Sequence, residues 1–600
     1  MATTARADKL DTDSVNGPHD EVLGGDLNWD VVSWSLVEND VRRLRQRIFT
    51  ASQDGDLKRV RNLQKLMLRS RSNTLHSVRR VTQHNAGRTT PGIDGQVALT
   101  SLDRAEVAVA VHRHTTSWQA RPVKRVFIPK ANGKQRPLGI PVLLDRVQQA
   151  RVANALEPEW EARFEPRSYG FRPGRGCHDA IEAIYWTLKG HRSKRQWVLD
   201  ADLSAAFDRI DHDRLLDHLG TFPARGMVAG WLRAGVLDRG RFAPTEQGTP
   251  QGGVISPMLL NIALHGMEQA AGVRYLRCDP HGVETRAGAP VLVRYADDFL
   301  VMCHTKDQAE QVWHRLEQWL APRGLSFNVD KTHIVHVEQG FDFLGFNVRR
   351  YRGGKLLIKP STAAVKRIRA RLATEVRSLH GTNAEAVVRR LNPIIRGWAA
   401  YYRSVVSKEV FSAVDNHLWR HLYRWALHTH PNKSRHWVVA RYFGTFNPAR
   451  NDRWVFGDRD SGRYVRQFAW TKIVRHQVVM GMASPDDPAL DRYWAYRRHK
   501  THSLLGGKTA SLLIRQRGRC TVCGTFLLHA EHGPQSPQEW EQWTRTITRA
   551  TGKNALVMSD PDGGDQTTPR LIHTHCRGRE RLQRNGSSTS SSARRPAGLA

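Results

Sequence analysis

Two adjacent carboxylates, Asp297 and Asp298, lie between the apolar runs Val291-Leu292-Val293 and Phe299-Leu300-Val301-Met302. Apolar β-type residues on both sides of Tyr295-Ala296-Asp297-Asp298 predict a β-hairpin with both carboxylates at its tip. Like charges so placed repel unless cations lie beside them. Mg²⁺ suits the position, because it is a hard ion that shares carboxylate oxygens with substrate phosphates. The pair points to two-metal phosphoryl transfer once a third carboxylate arrives from elsewhere. Between Gln196 and Leu203, Trp197, Leu199, Ala201 and Leu203 alternate with Asp200 and Asp202, so the two aspartates share one strand face. Periodicity leaves either of them as the third ligand. Ser204 reads as the N-cap of a following helix that carries Phe207, and a ligand at a strand end before a helix is rigidly held.

The surrounding elements follow from punctuation. Residues 29–84 show helical spacing, with Val60, Leu63, Leu66 and Met67 on one face, and Thr90-Pro91-Gly92-Ile93-Asp94-Gly95 ends that segment. The run Lys124 to Pro129 and the turn Ala131-Asn132-Gly133-Lys134 predict a hairpin. Its Lys124, Lys130 and Arg136 could meet an incoming triphosphate. Residues 361–380 read as a basic helix, and 385–500 are dominated by helical patterns. No internal repeat stands out.

Composition points the same way. Six hundred residues make several domains, and a net charge of +35 calls for a polyanionic partner. Residues 361–520 hold 30 Lys and Arg against 10 Asp and Glu. Trp398, Tyr401, Tyr402, Trp419, Tyr423, Trp425 and Trp437 are interleaved with them, as on a surface where bases stack; ordinary helical core is the expectation for more than half of these rings. There is no apolar N-terminal leader, no membrane-spanning run, and only six cysteines. A cytoplasmic protein is expected. Residues 1–26 and 584–600 are polar, low-complexity stretches expected to be disordered.

Asp202-Leu203-Ser204-Ala205-Ala206-Phe207-Asp208 followed by Tyr295-Ala296-Asp297-Asp298 resembles the two metal-binding motifs of reverse transcriptases. Further blocks match in order: Arg136 to Pro141 with Asp145 to Gln148, Ser168 to Gly174, Thr249 to Pro257, then Gly324-Leu325 with Lys331-Thr332, and Phe341 to Phe346. The family resembled is the group II intron-encoded reverse transcriptase/maturases, over residues 30 to at least 500. The resemblance selects Asp202 over Asp200, so that Asp202, Asp297 and Asp298 hold two Mg²⁺ ions. It implies that Phe207 excludes a 2′-hydroxyl beneath the nucleotide sugar, and that Gln251 and Lys331 lie near the nucleotide and primer end. Leu391 to Tyr402 resembles the start of the maturase domain. Arg396, Trp398, Tyr401, Tyr402, Arg403 and Arg420 are the expected RNA contacts, and linkage favours the folded intron RNA.

The implied architecture is α+β: right-hand polymerase fingers and palm (27–360) with a split βαβ palm, a helical thumb and maturase domain (361–500), and a small zinc-type HNH-like domain (501–583). For that tail, Cys520-Thr521-Val522-Cys523 and His573-Thr574-His575-Cys576 form a zinc-type pattern. One Zn²⁺ is expected on Cys520, Cys523 and Cys576 with His573 or His575. The His pair that opens an HNH motif is missing, only His529 and His532 being near, and Arg577 stands where a His commonly follows. A zinc-stabilised endonuclease remnant is therefore expected. The implied partners are group II intron RNA, target DNA and deoxynucleoside triphosphates, in a protein that splices and copies its intron. The alternative is a splicing-only maturase with a relic polymerase.

Overall fold

The computed structural model describes residues 27–113, 118–129, 135–190, 193–501, 511–512, 515–516, 519–522, 527, 533–551, 556–559, 569–573 and 576–577. The N-terminal region is helical over Trp34–Gln53, Leu57–Arg69 and Arg71–Arg79. Asp56 and Ser70 cap the second and third helices through side-chain oxygens that accept from backbone N–H groups. Val60, Leu63 and Met67 are buried on the predicted face. Strands Val123–Pro129 and Gln135–Ile140 pair antiparallel, as the hairpin spacing requires; the turn between them, with Lys130, lies outside the described residues.

The palm is a four-stranded antiparallel sheet in the order His333–His336, Trp197–Asp202, Asp298–Cys303, Val291–Tyr295. Its strands have opposite faces in separate cores. Val198, Leu300 and Met302 pack with the maturase helices, while Leu199, Ala201, Phe299 and Val301 pack with palm helices. A sheet buried on both sides has a strongly specified register, because a slip of one residue would exchange its two faces. After a three-stranded sheet (341–360), helices Thr362–Ser378, Ala384–Tyr402 and Lys408–Thr429 form the thumb and maturase region. Ser361 Oγ accepts from Ala364 N and fixes the first of these starts.

Two expectations need correction. Ser204 does not cap a helix. Its N–H donates to Ser326 O, and the short helix Ala206–Arg209 starts at Ala205 with φ 48°. Residues 443–490 are not helical: apart from one small hairpin (443–456) and short 3-10 turns they run extended. This stretch is a strap held by side chains. His476 and Arg497 bind Asp179, Arg175 donates to the carbonyls of Gly481 and Ala483, and Arg45 binds Asp486. The helix Pro537–Thr551 lies against Ala384–Tyr402 so closely that a Cβ at Gly397 would be 2.6 Å from Glu541 N. No helix among the described residues is long and apolar enough to cross a membrane.

Candidate active site and nucleic-acid surface

Register brings the three carboxylates together. Asp298 is the Cα partner of both Asp202 and Tyr295, which puts Asp202 at the strand end beside the hairpin tip. The tip is a two-residue turn in which Ala296 has φ 59°, a conformation an L-residue holds only when its surroundings impose it. Three contacts impose it. Arg294, 1% exposed, donates through Nη1 to Ala296 O (3.3 Å) and to Asn261 Oδ1 (2.9 Å). Asn261 Nδ2 in turn donates to Gly170 O at 2.9 Å. Gly170 lies so near the turn that a Cβ there would be 2.3 Å from Ala296 N.

Asp202 accepts from Lys331 Nζ at 2.6 Å and from Asn328 Nδ2 at 3.3 Å. Burial, then neighbouring Asp297 and Asp202, push the Asp298 carboxyl up to about 8. Burial raises Asp297 as well, against Arg136 and Lys331. A crowded set of carboxylate oxygens with so little compensating charge fits hard divalent ions, whose charge reverses this repulsion. Asp200 shares the face of Asp202 but stands opposite His333.

The nucleotide-side residues are placed unevenly. Phe207 is half-buried beside the site; its carbonyl accepts from Thr249 N, and its ring meets Phe171 edge-on. Gln251 O accepts from Gly139 N at 2.7 Å, and its side chain reaches Asp208. Arg136 is exposed and acts electrostatically on Asp297; Lys124 is exposed on the neighbouring strand. Arg294, Asn261 and Asn328 were not anticipated. An arginine inside the apolar run Val291–Tyr295 was the signal, because a buried guanidinium must be hydrogen-bonded.

Trp398, Tyr401 and Tyr402, expected to stack on RNA, are 2–4% exposed. They belong to the core, where Trp398 packs on Tyr402 and Phe468, Tyr401 donates to Leu344 O and Tyr402 to Gly345 O. The helix is amphipathic, and these rings are on its inner stripe. The charges fare differently. Arg420 is exposed, and Arg403 is half-buried. Arg396 lies in a groove of about 1090 Å³ between Ala384–Tyr402, the 462–466 turn and the helix Pro537–Thr551. Burial and then Arg466 depress the Arg396 guanidinium pKa. Arg390, Arg463 and Arg545 on the same groove have carboxylate partners, whereas Arg389, Arg396 and Arg466 have none among the described residues.

In the tail, Cys520, His573 and Cys576 present ligand atoms within 4.8 Å of one another. Cys520 and Cys576 are buried. Cys523 and His575 lie outside the described residues.

A carboxylate-tipped hairpin laid against a third acidic strand end, with a fingers hairpin before it and a helical thumb after it, defines a polymerase palm. The sequence profile for reverse transcriptase (RNA-dependent DNA polymerase) matches residues 128–348, that for the N-terminal domain of reverse transcriptase matches 29–111, and that for the group II intron maturase-specific domain matches 365–443. Protein YkfC of Escherichia coli is 36% identical over 52% of this chain and 89% of its own length. The group II intron-encoded protein LtrA of Lactococcus lactis is 29% identical over 40% of the chain and 49% of its own length. Maturase-like protein 1 of Euglena gracilis is 26% identical over 61% and 76%. The chain belongs to the group II intron-encoded reverse transcriptase/maturase family. It is an RNA-directed DNA polymerase that uses divalent metal and deoxynucleoside triphosphates and carries an intron-RNA-binding maturase domain.

Proposed function

We propose that this protein assists splicing of its own group II intron RNA and copies that RNA into DNA at a target site, with Asp202, Asp297 and Asp298 as ligands of two Mg²⁺ ions. The observation that carries this reading is the register pairing of Asp202 with Asp298 beside the braced Ala296 turn. When bound, the ions supply a lowered pKa for the primer 3′-hydroxyl and charge neutralisation at the leaving pyrophosphate. The chain's own residues orient the reactants. Lys331 neutralises Asp202 and sits toward the primer end. Arg136 and Lys124 meet the triphosphate, Gln251 borders the nucleotide, and Phe207 closes the space a 2′-hydroxyl would need. The groove lined by Arg389, Arg396 and Arg466 receives intron RNA phosphates, with Arg403 and Arg420 on the same basic region; three uncompensated guanidiniums favour a polyanion. Residues 501–583 supply a DNA-binding function, an HNH-like remnant in which Cys520, His573, Cys576 and Cys523 bind structural zinc. Three thiolates and an imidazole form a closed tetrahedral set.

Primer extension on an RNA template with Mg²⁺, run beside protein-assisted splicing at low salt, tests the central claim. Asp297→Asn is expected to abolish extension and leave splicing intact. Full extension by this variant would overturn the ligand assignment, and loss of splicing would show that the two activities share the palm.

A further inference from the structure

Phe171 is out of place on stability grounds. It is bulky, 44% exposed, and holds φ 60°, a region that L-residues with large side chains avoid. Glycine would take that backbone without strain, and little apolar burial would be lost. The backbone on either side is clamped. Arg172, 1% exposed, forms a bidentate pair with Glu161 (2.9 and 3.0 Å) and donates to the carbonyls of Glu165 and Ser168. Gly170 abuts the catalytic turn. Clamped in this way, the Phe171 ring stands edge-on to Phe207, with centroids 6.2 Å apart and planes at 74°. Phe207 packs on the palm core with its other side, and its backbone is pinned through Thr249 N. One residue therefore touches the sugar-side aromatic while its neighbour touches the carboxylate turn. Strain maintained at such a junction marks a working position.

We propose that Phe171 is a positioning residue for the sugar gate: its ring fixes the Phe207 ring, and through it the discrimination between deoxyribo- and ribonucleotides. This rests on the reading of Phe207 as the gate. The test is single-nucleotide incorporation of dCTP against CTP on an RNA template by the full chain. It compares Phe207→Val, Phe171→Gly, Phe171→Tyr and the Phe171→Gly/Phe207→Val double variant, with thermal unfolding of each. Phe207→Val is expected to collapse discrimination. Phe171→Gly should lower it about tenfold, the scale of a loosened pocket contact, with an unfolding temperature equal to or above wild type. Phe171→Tyr keeps the ring and should keep the discrimination. The double variant should discriminate no worse than Phe207→Val alone, since both changes act through one ring. Unchanged discrimination in Phe171→Gly beside a collapsed Phe207→Val would overturn the proposal and leave the gate standing. A multiplicative double variant would also overturn it, because Phe171 would then act independently of Phe207. Unchanged discrimination in Phe207→Val would remove the gate reading and this inference with it.

Discussion

The palm carboxylates and the Cys520 cluster are both constellations of potential metal ligands, yet they are positioned by opposite means. In the palm, Asp202 and Asp298 are paired residues of one sheet whose two faces are buried in different cores. Backbone register sets their relation, and the Asn261–Arg294 brace sets the turn. In the tail, the cluster joins the segment at Cys520 to the small hairpin Leu556–Ser559/Arg570–His573 and to Cys576. Gln516 exchanges hydrogen bonds with both backbone groups of Leu571, and Arg519 pairs with Glu38. A site of the first kind is built by the fold. A cluster of the second kind would contribute to its own fold on binding a metal.

Among changes that spare the carboxylates, the largest effect should come from disturbing the turn that carries them. Asn261→Leu keeps the volume but removes the link between Gly170 O and Arg294. A turn misplaced by about 1 Å costs on the order of 100-fold in rate. The loss should fall on kcat for DNA synthesis, with little change in KM for nucleotide, normal circular dichroism and normal intron RNA binding. Near-wild-type kcat would mean that the sheet alone sets the turn.

Next comes the tie between the two halves. Asp179 is buried at the start of the palm helix Cys177–Leu188 and holds the strap through His476 and Val479 N, and the helix that follows it through Arg497. Burial would raise its carboxyl pKa, but His476 and Arg497 outweigh burial and hold it well below the usual carboxylate range. Asp179→Asn leaves Arg497 uncompensated and should cost about 3 kcal/mol of stability, the scale for breaking a buried pair. A carboxyl with a depressed native pKa stabilises fully above its unfolded value of about 4, and that contribution is lost as pH falls toward the native value. The gap in melting temperature between wild type and variant should therefore be constant near neutrality and narrow below about pH 4. A gap independent of pH would assign the effect to packing.

The same contrast explains what could be read from the sequence. Alternation over Trp197–Leu203 and the apolar flanks of Asp297-Asp298 mark the hairpin and the third strand, because the period of a sheet is local. Asp202 was separated from Asp200 only by family resemblance; both share a face, and the choice depends on where the partner strand ends. Trp398, Tyr401 and Tyr402 look like a stacking surface in one dimension, but helical period places them on the inner stripe, and the two tyrosine hydroxyls find backbone carbonyls there. The strap at 443–490 was illegible, since an extended segment held by Arg175, Asp179 and Arg45 from distant parts of the chain leaves no periodic trace. Phe171 was visible only as part of a motif; its backbone strain is a property of the folded loop.

A third test probes the docking of the tail. Gly397→Ala would drive a Cβ to within 2.6 Å of the backbone of the helix Pro537–Thr551. Overpacking of this kind costs about 1–3 kcal/mol, offset by up to about 1 kcal/mol of better helix propensity. Limited proteolysis should show earlier cleavage beyond residue 500, while primer extension by the intact chain stays near wild type. Loss of extension in step with cleavage would mean that the tail's docking shapes the palm, and the two regions would cease to be independent.

The smallest effect on synthesis, and the sharpest separation of the two sites, should come from Cys576→Ser. If the cluster binds one zinc per chain, this change removes a buried thiolate from a closed set, and metal analysis of the purified full chain should fall from one zinc to none. The protease resistance of the hairpin Leu556–Ser559/Arg570–His573 should fall with the metal, and chelator should reproduce this in wild type. DNA synthesis should stay within about twofold, as expected for a change that touches none of the palm carboxylates. Second-strand cleavage of target DNA should be weak or absent in both proteins, since the His pair of an active HNH motif is lacking. A metal-free wild-type protein with chelator-resistant proteolysis would reduce the cluster to packed cysteines. Robust cleavage that Ala at His529 or His532 removes would make the tail a working nuclease with a ligand-built site of its own.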